Sequence, residues 1–284
     1  MFAKYGTYQP VGMFSTTHII SVVICFALII TAVILTRKMK SATYFKLLKI
    51  FAVMLTSMEA FKISWNLING NTGLDSWLPL YFCSLFIYSL WFCCFNGKTL
   101  KGFGLSYIAC AAILAGAVFV IFPTTSFRMY PIFHFQCLYS MIFHSIMIYC
   151  GIMVYVSKSI TINWKTVLNY ILFCAIFMLI AWLVNINTGS NLMFISNPSG
   201  IPIPALKSIY KFSHNLYSFT IVVAHMLIGP TAYGVYALTA KLKKSKPTPK
   251  LSHQVVQPEE LEAEPEFVAE NVEEDEEILT ENRT

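Results

Sequence analysis

The fold class predicted is all-α: a polytopic membrane helical bundle of seven transmembrane helices, with the N-terminus outside and the C-terminus cytoplasmic. Three observations predict it. Of 284 residues, 56% are hydrophobic and 12% charged, roughly half the charged share of a soluble domain. Of the 14 Asp and Glu, 12 lie between Glu259 and Glu281, so Glu59 and Asp75 are the only carboxylates before the tail. Seven apolar stretches reach the length of about 20 residues that a helix needs to cross a bilayer.

The stretches are residues 17–36, 45–68, 77–95, 103–122, 132–156, 167–187 and 209–240. The first has no charged region before it and "RKMK" after it, so it reads as a retained span and not as a cleaved signal. In the third, "LPLYFC" opens the run, and Pro79 is expected in the first helical turn, where a missing N–H matters little. The last stretch is longer than a crossing requires, so part of it is expected to tilt or to lie in the interface. Between the sixth and seventh, Pro198, Pro202 and Pro204 prevent an ordinary helix. Leu192, Met193, Phe194 and Ile195 are nevertheless too apolar for a solvated loop. That segment is expected on the outer face as an amphipathic lid, as a re-entrant piece over a cavity, or as a plain interfacial loop.

Loop cations set the orientation. Arg37, Lys38, Lys40 and Lys46 follow the first stretch, Lys98 and Lys101 the third, and Lys158 and Lys165 the fifth. Lys241, Lys243, Lys244, Lys246 and Lys250 follow the seventh. The opposite side carries Lys4, Arg128, Lys207 and Lys211. The first set is expected in the cytoplasm. The domains expected are a transmembrane unit over 1–240 and a disordered cytoplasmic tail over 241–284, basic and then acidic. The net charge of +6 averages these two parts. Because the cations sit at helix ends and not in one patch, membrane lipids are the expected partners and nucleic acid is excluded. Cys25, Cys83, Cys93, Cys94, Cys110, Cys137, Cys150 and Cys174 all fall in apolar segments without a Cys-x-x-Cys pair. That argues against a disulfide framework or a structural zinc. No metal-ligand spacing and no nucleotide-binding glycine motif occur, so no metal and no cofactor are expected.

Ionisable groups are costly in lipid and usually face a protein interior or a water-filled cavity. Counted at ~1.5 Å per residue from the outer end of each stretch, Glu59 and Lys62 lie about 9 to 14 Å deep. They are three apart on one helical face and can neutralise each other, and Asn66 continues that face. Cys83 lies about 9 Å deep, His134 near the outer interface, and His144 about 18 Å down. Asn185 and Asn187 end the sixth stretch, and His214 and Asn215 stand near the start of the seventh, with His225 deeper. This shared depth points to one polar cavity opening outward. Taken singly, each has a plain structural use: an ion pair can lock two helices, a membrane histidine can bridge helices, and an asparagine near a helix end can cap it.

Several stretches together resemble one family, the YwaF-like bacterial integral membrane proteins. "LPLYFCSLFIYSL" resembles its Leu-Pro-Leu-x-x-Cys-Ser segment, and "SMEAFKISW" its Glu-x-x-x-x-x-Trp segment. "YPIFHF…IFHSIMI" is similar to its Pro-x-x-x-x-Phe run leading to a histidine. "LVNINTGSNLMFISNP" resembles its Val-Asn…Gly-x-Asn-Tyr-Met-Phe-Leu…Pro segment. The likeness covers about residues 17–235. A distant eukaryotic relative, transmembrane protein 164, is regarded as a cysteine-dependent acyltransferase acting on phospholipids. The resemblance implies that Cys83 matches the candidate nucleophile and His144 the candidate base. Glu59, Asn185 and Asn191 match polar motif positions. The sequence departs at Lys62, where histidine is common, at Tyr81, where a polar residue is common, and at Leu192, which replaces a tyrosine. A multi-pass protein of the bacterial cytoplasmic membrane is the location this implies.

Two functions follow. In the first, Cys83 attacks a lipid ester as thiolate, with His144 or His134 moving the proton. Lys62 lowers the thiol's proton affinity, and Asn185 or Asn215 donates to the oxyanion. In the second, Glu59, Lys62 and the histidines bind or pass a small polar solute. No inverted repeat or pair of broken helices, the usual transporter signs, is evident in the sequence.

Overall fold

The computed structural model describes residues 1–2, 4–201 and 203–245. The acidic tail and Pro202 lie outside the described residues. Among the described residues the chain is helical without strands. Helices α1 (Thr16–Thr36) and α2 (Ser41–Ile68) come first, followed by the single turn α3 (Leu74–Trp77) and the ten-residue α4 (Leu85–Cys94). Next, α5 (Lys98–Tyr107) and α6 (Ile113–Ile121) run on through one π-helical turn, Ile108–Ala112. Helices α7 (Phe135–Val156), α8 (Trp164–Thr188), α9 (Pro204–Phe212) and α10 (His214–Ser245) complete the order, with a short 3₁₀ turn at Leu192–Phe194.

Among the described residues, five helices are long and apolar enough to cross a membrane: Thr16–Thr36, Lys98–Ile121, Phe135–Val156, Trp164–Thr188 and His214–Lys241. Helix α2 is 28 residues long but carries Lys46, Lys49, Glu59 and Lys62. Leu168, Leu172, Ile176, Leu179 and Leu183 form an exposed stripe along α8. Their spacing of three and four residues is that of one helical face, and an apolar face of this kind suits contact with lipid. The chain is a multi-pass helical membrane protein.

The expected stretch over 77–95 is not one continuous helix. Pro79 does not open a helix: the chain leaves α3 at Leu78 and stays irregular to Ser84, and only ten residues of α4 follow. Ten helical residues rise about 15 Å, half of a hydrocarbon core. Proline suits both a first helical turn and a break, and here it marks the break. The last expected stretch is likewise divided. Pro204 starts the amphipathic α9, Ser213 ends it in extended conformation, and the long α10 begins only at His214. The apolar segment after α8 is not a surface lid, because Leu192 and Met193 are fully buried.

Glycines set how closely helices cross. Gly151 of α7 lies where a Cβ would meet the Ile113 side chain at 2.7 Å and the Ile113 backbone nitrogen at 3.0 Å. Gly116 of α6 faces the His144 carbonyl oxygen, 2.9 Å from the place of a Cβ. Phe119, three residues along α6, then stacks on the His144 ring at 3.7 Å and 6°. The small residues of α6 thus fix both the depth and the tilt of one imidazole.

Candidate functional site

A cavity of about 370 Å³ opens between α2, α3, the irregular segment 78–84, α6, α7 and the segment after α8. It brings together four of the residues expected to form a site: Lys62, Asn66, Cys83 and His144. The wall also carries residues that sequence reasoning did not single out, among them Asp75, Ser84, Gln136 and Tyr139.

Cys83 stands in the turn that leads into α4. Leu80 and Leu85 are buried on either side of it. Tyr107 donates to the Phe82 carbonyl at 2.5 Å, and the Cys83 carbonyl accepts from Phe86 at 3.0 Å. The thiol therefore sits one residue before Ser84, the N-cap of α4, where the first N–H groups of the helix, those of Leu85, Phe86 and Ile87, are already bonded to the carbonyls of residues 81–84. Cys83 is the one cysteine among the residues lining the cavity.

His144 is held through its other nitrogen. Nδ1 lies 2.7 Å from the Ser140 carbonyl oxygen. A carbonyl only accepts, so Nδ1 carries the proton and Nε2 the lone pair. Nε2 is buried and has no hydrogen-bond partner, a condition that buried polar atoms rarely keep without a role. No hydrogen bond joins Cys83 to His144 among the described residues. They share a cavity without touching, which is common for catalytic pairs before substrate binds.

Glu59 lies just behind the wall, 4% exposed. Its Oε1 is 2.6 Å from Lys62 Nζ, and Tyr139 donates its hydroxyl proton to Oε2. The Lys62 ammonium also stands 5.5 Å from the Tyr139 ring centroid. Gln136 Nε2 donates to Asn66 Oδ1 at 3.1 Å, and Asn66 Nδ2 donates to the Ser76 carbonyl at 2.5 Å. The amides of α2 and α7 are thereby tied to α3 at the mouth.

The other expected residues lie elsewhere. His134 caps α7 by accepting from the Gln136 N–H at 3.1 Å, and it stacks on Tyr130 at 4.2 Å. Asn185 grips the Leu192 backbone from both sides, donating to its carbonyl at 3.0 Å and accepting from its N–H at 2.8 Å. Asn191 folds its own loop by bonding Ser196 and Asn197, while its N–H reaches Asp75 Oδ1 at 2.9 Å. His214 and Asn215 are exposed at the start of α10. None of the five lines the cavity. A depth counted along the sequence does not decide which face of its helix a side chain takes. Two signals were present for the missed residues. Asp75 is one of two carboxylates outside the tail, and Gln136 is the only glutamine in any apolar stretch.

These features define a polytopic helical membrane protein with a polar cavity whose wall holds a thiol and an imidazole with a free Nε2. Residues 13–229 match the model of the TMEM164 family, and the chain belongs to that family. No curated protein and no solved structure matches it.

Proposed function

We propose that the cavity is a cysteine-dependent acyl-transfer site acting on membrane lipid esters. The carrying observation is the pairing, in one cavity, of Cys83 with a His144 whose Nε2 lone pair is unclaimed. In the first step Nε2 takes the thiol proton, directly or through one water, and Sγ adds to the ester carbonyl. The oxyanion forms beside the Lys62 ammonium, which Glu59 and Tyr139 hold in the wall; a fixed charge at that point is a strong source of rate. Collapse breaks the ester C–O bond, and the imidazolium returns its proton to the leaving oxygen. A thioester on Cys83 remains. In the second step Nε2 deprotonates a lipid hydroxyl or water, which attacks the thioester and restores the thiol.

Full-length protein in membranes is expected to react with an acyl-ester probe. Cys83→Ala is expected to lose that labelling, while Cys110→Ala, a buried cysteine away from the cavity, keeps it. Equal labelling of both variants would end the proposal. A second reading, binding or passage of a small polar solute, draws on the break at 78–84 beside the Glu59–Lys62 pair. Such an activity would survive Cys83→Ala.

The same reading places the protein among the YwaF-like members of its family, in a bacterial cytoplasmic membrane. It has seven crossings, with the interrupted α4 segment counted as one of them, and the N-terminus outside. The cavity is bordered by the residues after α2 and after α6, at the other ends of these helices from the basic turn after α1 and from Lys98 and Lys101 at the start of α5. A single cysteine placed at Thr124, in a background whose native cysteines are replaced, is expected to react with an impermeant maleimide in intact cells, and one placed at Ser159 is not. The reverse pattern would invert the topology.

A further inference from the structure

A second concave surface lies beside the cavity mouth. It is a depression of about 670 Å³ bordered by Gly12, Met13, Arg128, Gly200, Ile201 and Lys207. Arg128 immediately precedes two residues of the cavity wall, Met129 and Tyr130. On the other side, Gly200 lies 3.4 Å, measured from the place of a Cβ, from the ring of Phe194, which also lines the cavity.

Both cations stand on fixed backbone. Arg128 follows the buried Ser126 and Phe127. Its turn is clamped from the N-terminal segment, Gly12 N–H donating to the Phe127 carbonyl at 2.9 Å and Val11 N–H to the Tyr130 carbonyl at 3.1 Å. Lys207 rides on α9, whose Leu206, Ile209 and Tyr210 pack on the core. Phe212 at the end of α9 is 83% exposed. A helix with cations on one face and apolar residues on the other lies in the headgroup plane of a membrane. Gly200 has φ +86°, a left-handed conformation suited to glycine, and it leaves that wall bare.

Neither cation has a carboxylate to pair with among the described residues. The two described carboxylates are engaged, Glu59 by Lys62 and Tyr139, and Asp75 by the Asn191 N–H. Two cations on fixed supports, bordering one open depression, are suited to an anion with several oxygens. Arginine presents a planar fork that matches phosphate, and lysine adds a compact charge.

We infer that Arg128 and Lys207 form a phosphate-binding subsite that holds the headgroup of a membrane phospholipid beside the cavity mouth. The interfacial helix favours a lipid over free phosphate as the source. The inference concerns binding and stands whether or not Cys83 becomes acylated.

The test uses full-length protein in maltoside detergent, both wild type and Cys83→Ala, titrated with dioleoylphosphatidylglycerol. Bound lipid is read by native mass spectrometry. Arg128→Gln/Lys207→Gln is expected to weaken binding by about tenfold or more, as loss of hydrogen bonds to a charged group implies. Each single variant is expected to weaken it less, and rising salt to weaken wild-type binding. Lys211→Gln, on the same helix but off the depression, is expected to bind as wild type. Monogalactosyl diacylglycerol, which has no phosphate, is expected to bind at least about tenfold more weakly than the phospholipid. Unchanged binding by the double variant, equal binding of the galactolipid, or an equal loss in Lys211→Gln would overturn the inference. Displacement of the phospholipid by an equal concentration of inorganic phosphate would overturn the assignment to a lipid.

Discussion

Gly104→Ala is expected to lower the thermal midpoint of the detergent-solubilised protein by about 6 to 12 °C, and Gly104→Val to yield little folded protein. Gly104 lies on α5 where it crosses α4. A Cβ there would fall on the Ser89 carbonyl oxygen, 2.8 Å from Cys93 Sγ and 3.1 Å from the Cys93 backbone nitrogen. A side chain can rotate away, but a helix backbone cannot, so α4 would have to move as a unit. Overpacking typically costs about 1–3 kcal/mol, and a backbone collision belongs at the upper end of that range. At roughly 2–4 °C per kcal/mol for a chain of this size, the stated shift follows. Because α4 carries the Cys83 turn, probe labelling should fall along with stability. Gly97→Ala is the control, since a Cβ at Gly97 meets nothing within 4 Å. It should melt within about 3 °C of wild type, since Gly97 is the N-cap of α5 and exchange there for alanine costs about 0.5–1 kcal/mol. Equal midpoints for both variants would show that the α4–α5 contact is looser than described.

Glu59→Leu is expected to destabilise by about 2–3 kcal/mol, and Glu59→Leu/Lys62→Met to recover most of that loss. Glu59 is buried while the Lys62 side chain keeps 22% exposure. Removing the carboxylate leaves an ammonium unpaired inside the wall and the Tyr139 hydroxyl without its acceptor. Breaking a fully buried pair costs about 3–5 kcal/mol, whereas replacing both partners by apolar residues is often neutral. The partial exposure of Lys62 sets the lower figure, because water screens what remains. Thermal midpoints of wild type, both single variants and the double variant form a cycle that isolates the pair. Additive losses in the double variant would mean that the two groups act separately. In the proposed reaction Lys62 serves the oxyanion, so the double variant should be stable and yet slow to label. That split would separate the chemical role from the structural one.

Much of the bundle was legible in the residues. The expected 17–36, 132–156 and 167–187 correspond to α1, α7 and α8 to within a few residues. Long apolar runs allow little else in lipid, where every backbone polar group must be satisfied within the chain. The break at 78–84 was not legible, because an apolar run has the same composition whether it is helical or lines a cavity. The separation of α9 from α10 was hidden for a similar reason: Ser213 is small and mild, and the signal lay instead in Pro204 at the first turn and in Lys207 and Lys211 on one face. In the site, Cys83 and His144 were found by the family resemblance, their counted depths differing by about 9 Å, while Lys62 and Asn66 were found by depth and a shared helical face. His134 and Asn185 were grouped with them by depth, but their side chains serve a helix cap and a loop clamp. Tyr139 was missed because a tyrosine in a span reads as packing until a carboxylate is seen beside its hydroxyl.

The central claim is that the Cys83 thiol carries an acyl group during turnover. Its most direct test is peptide mapping by mass spectrometry of full-length protein incubated with a phospholipid bearing an isotope-labelled acyl chain. The account predicts the labelled acyl mass on the peptide containing Cys83, released by neutral hydroxylamine as a thioester is. It further predicts that acylation is slowed at least about 100-fold in His144→Ala, the range that a positioned base contributes. No acyl group on Cys83, or one present at the same rate in His144→Ala, would contradict it.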